Sequence, residues 1–252
     1  MTPLTRWMLL TVIACTGCSN LQKTEPSAAP SFVIILADDL GWADVSCQGS
    51  PWKTPAIDAL AADGIRFTRA ASNGPNCAPS RACLVTGTDV TRHGIFTVRP
   101  AARGKKENRR LEPPRTEHKL KAEAVTIAEM LANHGYRSAH IGKWHLGAHK
   151  DHGPMKQGFD EFFGIRDGFI DNYNHFFLHR EGFHDLYEGT TEVFKRDEFF
   201  PEIMVNRALA FLDQKRDKPF FLYVPFNIPH YPEQSLKEHQ KLYANLPEPR
   251  RS

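Results

Sequence analysis

Phe32-Val33-Ile34-Ile35-Leu36-Ala37 is an unbroken apolar run, rich in β-branched residues, that stops at Asp38-Asp39. A run of that kind without polar alternation is expected for a central parallel strand covered on both faces. Ile57, Leu60 and Ala61 then recur at helical spacing up to Gly64, and Ile127, Met130 and Leu131 do the same before Gly135. Residues 136–141 read as a second buried strand, leading into Gly142-Lys143-Trp144-His145. A helix with Val205, Ala208, Leu209 and Leu212 in register precedes a third strand, 220–224, which leads to His230. Strands and helices alternate, so the expected class is α/β with a mostly parallel central sheet. Open sheets of this class bind ligands beyond the carboxyl ends of their strands, so Asp38, Asp39, Lys143, His145 and His230 are expected in one shared site.

Length and composition leave that reading intact. A chain of 252 residues, 41% hydrophobic and 24% charged, suits one globular domain with a sizeable core. A net charge of +3 identifies no partner, and nucleic-acid binding gets no support. The basic stretch from Arg99 to Lys121 includes Arg103, Arg109 and Arg115 but is diluted by Glu107, Glu112 and Glu117. It reads as a solvated loop rather than a polyanion site. Phe162, Phe163, Phe169, Phe176 and Phe177 form a dense aromatic group that reads first as core, with the wall of a sugar or aryl pocket as the alternative.

Arg6 followed by the apolar stretch 7–14 is too short to span a bilayer and has the form of a signal-peptide core. Thr16-Gly17-Cys18-Ser19-Asn20 fits a bacterial lipoprotein cleavage site, with Cys15 as a competing lipidation register. The expected organisation is a signal peptide at 1–18, a polar tether at 19–31 carrying Pro26 and Pro30, and a folded part at 32–252. Export to the periplasm of a bacterium, or display as a lipoprotein held at the membrane only by its lipid, is the expectation; ordinary secretion is the competing reading.

The most specific stretch is Cys77-Ala78-Pro79-Ser80-Arg81-Ala82-Cys83-Leu84-Val85-Thr86-Gly87. If Pro79 opens a helix, Cys77 sits just before its N-terminus, facing free backbone donors and the positive end of the dipole. This segment resembles the C-x-P-S-R-x-x-L-x-T-G signature of type I sulfatases. Asp38-Asp39-Leu40-Gly41, Gly142-Lys143-Trp144-His145-Leu146-Gly147, the segment 157–164 and Pro229-His230-Tyr231-Pro232 are similar to that family's landmarks, in the family's order. The resemblance covers the chain from about residue 31 onward and implies an alkaline-phosphatase-like α/β/α sandwich.

The resemblance also implies a chemistry. A formylglycine-generating enzyme would convert Cys77 to formylglycine, whose hydrated aldehyde attacks sulfur with one hydroxyl and keeps the other to expel sulfate. Asp38, Asp39 and residue 77 would ligate Ca²⁺, a hard ion suited to carboxylate oxygens. Arg81 would hold the modified residue and Lys143 a sulfate oxygen. His145 would take a proton during sulfate release, and His230 would contact the ester oxygen and protonate the leaving group, both with imidazole pKa values near working pH. The substrate would be a sulfated carbohydrate or an aryl sulfate. Conversion of Cys77 would leave Cys47 and Cys83 as one candidate disulfide.

Ca²⁺ takes roughly six to eight oxygens, more than these residues supply. In the family the further ligands come from a later Asp-Asn segment, followed by a second sulfate-binding lysine. Neither is recognisable before Ser252, so the expectation is a C-terminally truncated catalytic domain that binds Ca²⁺ weakly and turns over poorly. The competing readings are a phosphomonoester or phosphonate hydrolase of the same broader fold and an inactive fragment that only binds sulfated glycans.

Overall fold

The computed structural model describes residues 29–102, 104–178 and 182–245. The export segment, both lipidation registers, most of the tether, Arg103 and the last seven residues lie outside the described residues. No helix among those described is long and apolar enough to cross a membrane.

Six strands form one sheet: β1 (Phe32–Asp38), β2 (Arg137–Lys143), β3 (Glu161–Ile165), β4 (Tyr187–Glu188), β5 (Thr191–Glu192) and β6 (Phe220–Pro229). Their order across the sheet is β1-β6-β2-β3-β4-β5. The first four in that order are mutually parallel, and the β3-β4-β5 edge is antiparallel. Helices α1 (Pro55–Asp63), α2 (Cys77–Thr86), α3 (Val90–His93), α4 (Ile127–Ala132), α5 (Phe200–Leu212) and α6 (Lys237–Leu242) complete the fold.

Side chains alternate across a strand, and β6 uses that period to build two cores. Leu222 and Val224 join Ala139, Ile141, Phe163, Phe200 and Met204 in a cluster under α5. Phe221 and Tyr223 point the other way, to a cluster with Ala82, Val85, Leu131, Trp144 and Phe159 under α2 and α4. The result is the expected helix-sheet-helix sandwich. α4 opens on a capping box, with Thr126 and Glu129 exchanging bonds with each other's backbone, which satisfies two otherwise orphaned N–H groups.

Two expectations need correction. β1 is not a central strand: it closes one edge of the sheet, and Val33 and Ile35 remain 48% and 66% exposed on a face that no described element covers. In α5 the inward residues are Phe200, Ile203, Met204, Ala208 and Phe211. Val205, Leu209 and Leu212 face outward. The helix is apolar on two sides, so a 3.6-residue period fits either, and only Ala208 belongs to the buried one.

Cys47 and Cys83 are both free, contrary to the proposed disulfide. Cys83 lies on the buried side of α2, with its Sγ 3.3 Å from His93 Nε2, while Cys47 sits in a short 3-10 turn, Ser46–Gln48, where its N–H donates to Asp58. The basic stretch is solvated over most of its length, as expected, with Leu120 buried as its anchor.

Candidate active site

Four parallel strands deliver their carboxyl ends to one edge of the sheet. Asp38 ends β1 opposite Pro229 of β6, and Lys143 ends β2 opposite Ile165 of β3. Close approach of β2 to its two neighbours, β6 and β3, depends on Gly142 and Gly164, which are register partners with φ of 136° and 149°. A Cβ on Gly164 would overlap the Gly142 carbonyl oxygen, and one on Gly142 would overlap the Pro225 oxygen.

α2 begins two residues earlier than Pro79 suggested. Asn76 is its N-cap, Cys77 its first residue and Pro79 its third. Cys77 therefore lies within the first turn rather than before it, still beside N–H groups that have no acceptor within the helix. Its side chain is half-buried and its thiol free.

One turn later, Arg81 turns inward and is 2% exposed. Its guanidinium donates to the Lys143 carbonyl at 2.8 Å, to Asp38 Oδ1 at 3.0 Å and to the Phe226 carbonyl at 3.3 Å. One planar fork thus joins α2 to the ends of β2, β1 and β6, a task for which several fixed donors are needed. Lys143, fully buried, donates to the other Asp38 oxygen at 2.5 Å. Burial works against the Asp38 carboxylate, but the cations of Lys143 and Arg81 hold its pKa below the ordinary value. Burial, and then the neighbouring Arg81, lowers the pKa of Lys143.

Asp39 and His145 both adopt left-handed backbone conformations, with φ of 60° and 58°. Non-glycine residues seldom do so, and here the turn throws each side chain away from its strand. Asp39 reaches outward to His230, with Oδ2 3.7 Å from Nε2. His145 turns inward, where its ring lies against Gly168 so closely that a Cβ there would be 3.0 Å from two ring atoms. Burial, reinforced by Lys143, Arg81 and His230, keeps the His145 pKa well below 6.5. That surrounding favours the neutral imidazole over the imidazolium. His230 packs on the Phe169 ring at 5.2 Å.

Cys77, His145 and His230 open onto one cavity of about 1000 Å³, whose far wall carries Phe169, Phe177, Phe183 and Tyr231. The aromatic group of the sequence thus divides: Phe162 and Phe163 are core, whereas Phe169 and Phe177 line the cavity. Two further polar residues line it, Arg99 and Asp167. Sequence reasoning passed over both. Asp167 lies two residues beyond the end of β3, and the strand-end rule that singled out the other residues applies to it equally. Arg99 was absorbed into a loop read as solvated. The wall is braced by Asn172, which accepts from the buried Asn227 amide at 2.7 Å, and by Gln234, which donates to Asp171 at 2.7 Å.

The expected Ca²⁺ ligands do not form a cage. Among the described residues no three His, Cys, Asp or Glu side chains converge as a metal site. Asp38 has one oxygen on Arg81 and the other on Lys143, and Asp39 is 61% exposed and directed at His230. The donor set as arranged does not fit a six- to eight-coordinate ion.

A family model described as Sulfatase matches residues 30–250. The N-acetylgalactosamine-6-sulfatase of Canis lupus familiaris is 32% identical over 244 residues, covering 90% of this chain and 44% of its own length. This chain thus spans less than half of that relative. A crystal structure of Ps i-CgsB in complex with k-i-k-neocarrahexaose superposes with a TM-score of 0.74 at 29% identity, over 87% of this chain and 49% of that one. The structure of BT4656 with its substrate D-glucosamine-2-N,6-O-disulfate gives a TM-score of 0.67 at 25% identity, over 87% of this chain and 39% of that one.

Proposed function

The chain belongs to the sulfatase family, and on that basis we propose that its cavity hydrolyses a sulfuric ester, with residue 77 as nucleophile after conversion from cysteine to formylglycine. The observation that carries this reading is the joint placement of Cys77 in the first turn of α2 and Arg81 one turn on. Cys77 opens to the cavity beside His145 and His230, while Arg81 is locked to three strand ends.

The residues divide the work by position. The dipole of α2 and its free N–H groups favour negative charge at residue 77, where sulfate charge accumulates as the ester bond breaks. Lys143 and Arg81 add two buried cations against one carboxylate, so the floor beneath residue 77 is net positive. His145, kept neutral by burial, takes the proton of the remaining hydroxyl when the covalent sulfate is expelled. His230, at the cavity mouth, donates a proton to the departing alcohol. Ca²⁺ was implied by the resemblance, but Asp38 and Asp39 are not arranged to cage it, and no step is drawn through the ion. The substrate class is sulfated carbohydrate, following the sugars named with the relatives. The relatives give no support to a phosphate-ester hydrolase or to a non-catalytic glycan binder. Export from the cytoplasm, by the segment at 1–18, completes the reading.

Two measurements test it on the full chain co-expressed with a formylglycine-generating enzyme. Peptide mass spectrometry across residue 77 is expected to show a loss of about 18 Da, thiol to aldehyde, accompanied by release of 4-nitrophenol from 4-nitrophenyl sulfate. An intact thiol, or an aldehyde-bearing chain that cleaves neither 4-nitrophenyl sulfate nor N-acetylgalactosamine 6-sulfate, defeats the proposal.

A further inference from the structure

Asp167 is the one acidic residue among those lining the cavity, and it is held there by its surroundings. Its backbone N–H donates to Asp185 Oδ2 at 2.8 Å, and Asp185 also accepts the Arg166 N–H at 3.1 Å. Asp185 is 1% exposed and anchors the turn that follows β3. The Asp167 side chain is fixed in turn by the Gly168 N–H, which donates to Oδ1 at 2.8 Å. Oδ2 makes no hydrogen bond within the described residues. A carboxylate in this place repels any further anion set against it; burial raises its pKa, the Gly168 N–H and the cations of Arg99 and Lys143 offset that in part, and the free oxygen is left for a donor carried by a ligand.

The aromatic lining of the same cavity has complementary character. Phe177 stacks on Phe183 with ring centroids 5.0 Å apart, and Phe169 lies 5.1 Å from Phe177 and 5.8 Å from Tyr231. These rings form a continuous apolar strip leading outward from His230. A ligand that suits both the rings and the carboxylate has an apolar face for the first and hydroxyl donors for the second. A sugar ring has both; an aryl sulfate has only the first.

We propose that Asp167 is a specificity-determining residue. Its free oxygen accepts a hydroxyl of the sulfate-bearing sugar while the Phe169–Phe177–Phe183 strip carries the ring. The cavity therefore selects a sugar with a single sulfate over an aryl sulfate, and over a sugar carrying a second anionic group next to the first. This rests on the reading of the cavity as a sulfate-ester site and adds the choice of substrate. A hydrogen bond to an ionised acceptor is about twice as strong as a neutral one, and a site built to accept a hydroxyl rejects ligands that lack it. A second sulfate beside Asp167 meets like charge across a low-dielectric wall.

The test measures dissociation constants by titration calorimetry on the full chain with unconverted Cys77, so that no turnover occurs. The probes are N-acetylgalactosamine 6-sulfate, N-acetylgalactosamine 4,6-disulfate and 4-nitrophenyl sulfate. In the wild type the monosulfate is expected to bind at least about ten-fold tighter than the disulfate or the aryl ester. Asp167→Asn is expected to weaken the monosulfate about ten-fold, to strengthen the disulfate, and to leave the aryl ester within about two-fold. Equal shifts for all three probes, or none, overturn the proposal. Should the variant fail to fold, the wild-type series decides alone, because a disulfate bound as tightly as the monosulfate also overturns it. If converted wild type cleaves 4-nitrophenyl sulfate yet Asp167→Asn alters no affinity, only this inference falls. If no sulfate ester binds or reacts, the sulfatase reading of the cavity falls with it.

Discussion

Lys143 Nζ lies 2.5 Å from Asp38 Oδ2, and both residues are buried, at 0% and 4% exposure. Arg81 holds the other oxygen of the same carboxylate, so one anion compensates two cations inside the fold. The two sides are therefore unequal. Lys143→Ala leaves Asp38 with a partner, whereas Asp38→Asn leaves two buried cations facing a neutral amide. Removing one member of a buried pair typically costs about 3–5 kcal/mol. Asp38→Asn is expected at the upper end and Lys143→Ala clearly below it, read from urea unfolding midpoints; a reversed order sinks the idea. The pH dependence has a definite sign. Because the folded pKa of Asp38 is lowered, its stabilisation is complete above its unfolded value near 3.8 and disappears as pH falls through the lower folded value.

Gly168→Ala tests the packing that seats His145. The added methyl would meet two ring atoms at 3.0 Å and push the ring toward the cavity that His145 lines. Overpacking of this kind costs about 1–3 kcal/mol. The expected result is a modest fall in melting temperature with a much larger fall in kcat for 4-nitrophenyl sulfate. A variant with wild-type turnover would show that the His145 position is not set by this contact.

The site was more legible than the packing around it. Asp38, Lys143 and His230 each follow an apolar strand, and a parallel sheet forces such residues to one edge. What the sequence could not show is where their charges go. The resemblance points Asp38 to a metal, yet it faces Arg81 and Lys143, because partners 43 and 105 residues away are chosen by tertiary approach alone. β1 lies at the edge rather than the centre for a related reason: an apolar run reports which surfaces a strand is able to bury, not which neighbours it has. In α5 two apolar faces satisfied one period, and the sheet selected the one bearing Phe200 and Met204.

That selection can be checked directly. Met204 is fully buried and Val205 is 43% exposed, one residue apart on the same helix. Met204→Ala opens a cavity under the sheet and is expected to cost about 2–5 kcal/mol. Val205→Ala removes little buried area and replaces a β-branched residue with a better helix former, so its effect should stay within about 0.5 kcal/mol. Equal losses in chemical denaturation would place the helix in the other register.

Asp185 predicts a pH response of opposite sign to that of Asp38. Burial pushes its carboxyl from 3.8 up to about 6, only partly opposed by the N–H groups of Asp167 and Arg166 that it accepts. Between those values the folded chain keeps a proton that the unfolded chain has released, so stability from this group is full below about 4 and declines as pH rises through about 6. The gap corresponds to a change on the order of 3 kcal/mol. Asp185→Asn cannot titrate, so the wild type should lose stability relative to the variant as pH rises from about 4 to 7, when urea midpoints are compared at each pH. The Asp38 effect lies below this window and does not mask it. Parallel pH profiles for the two proteins would mean that Asp185 is already ionised at pH 4, and that its two backbone donors outweigh its burial.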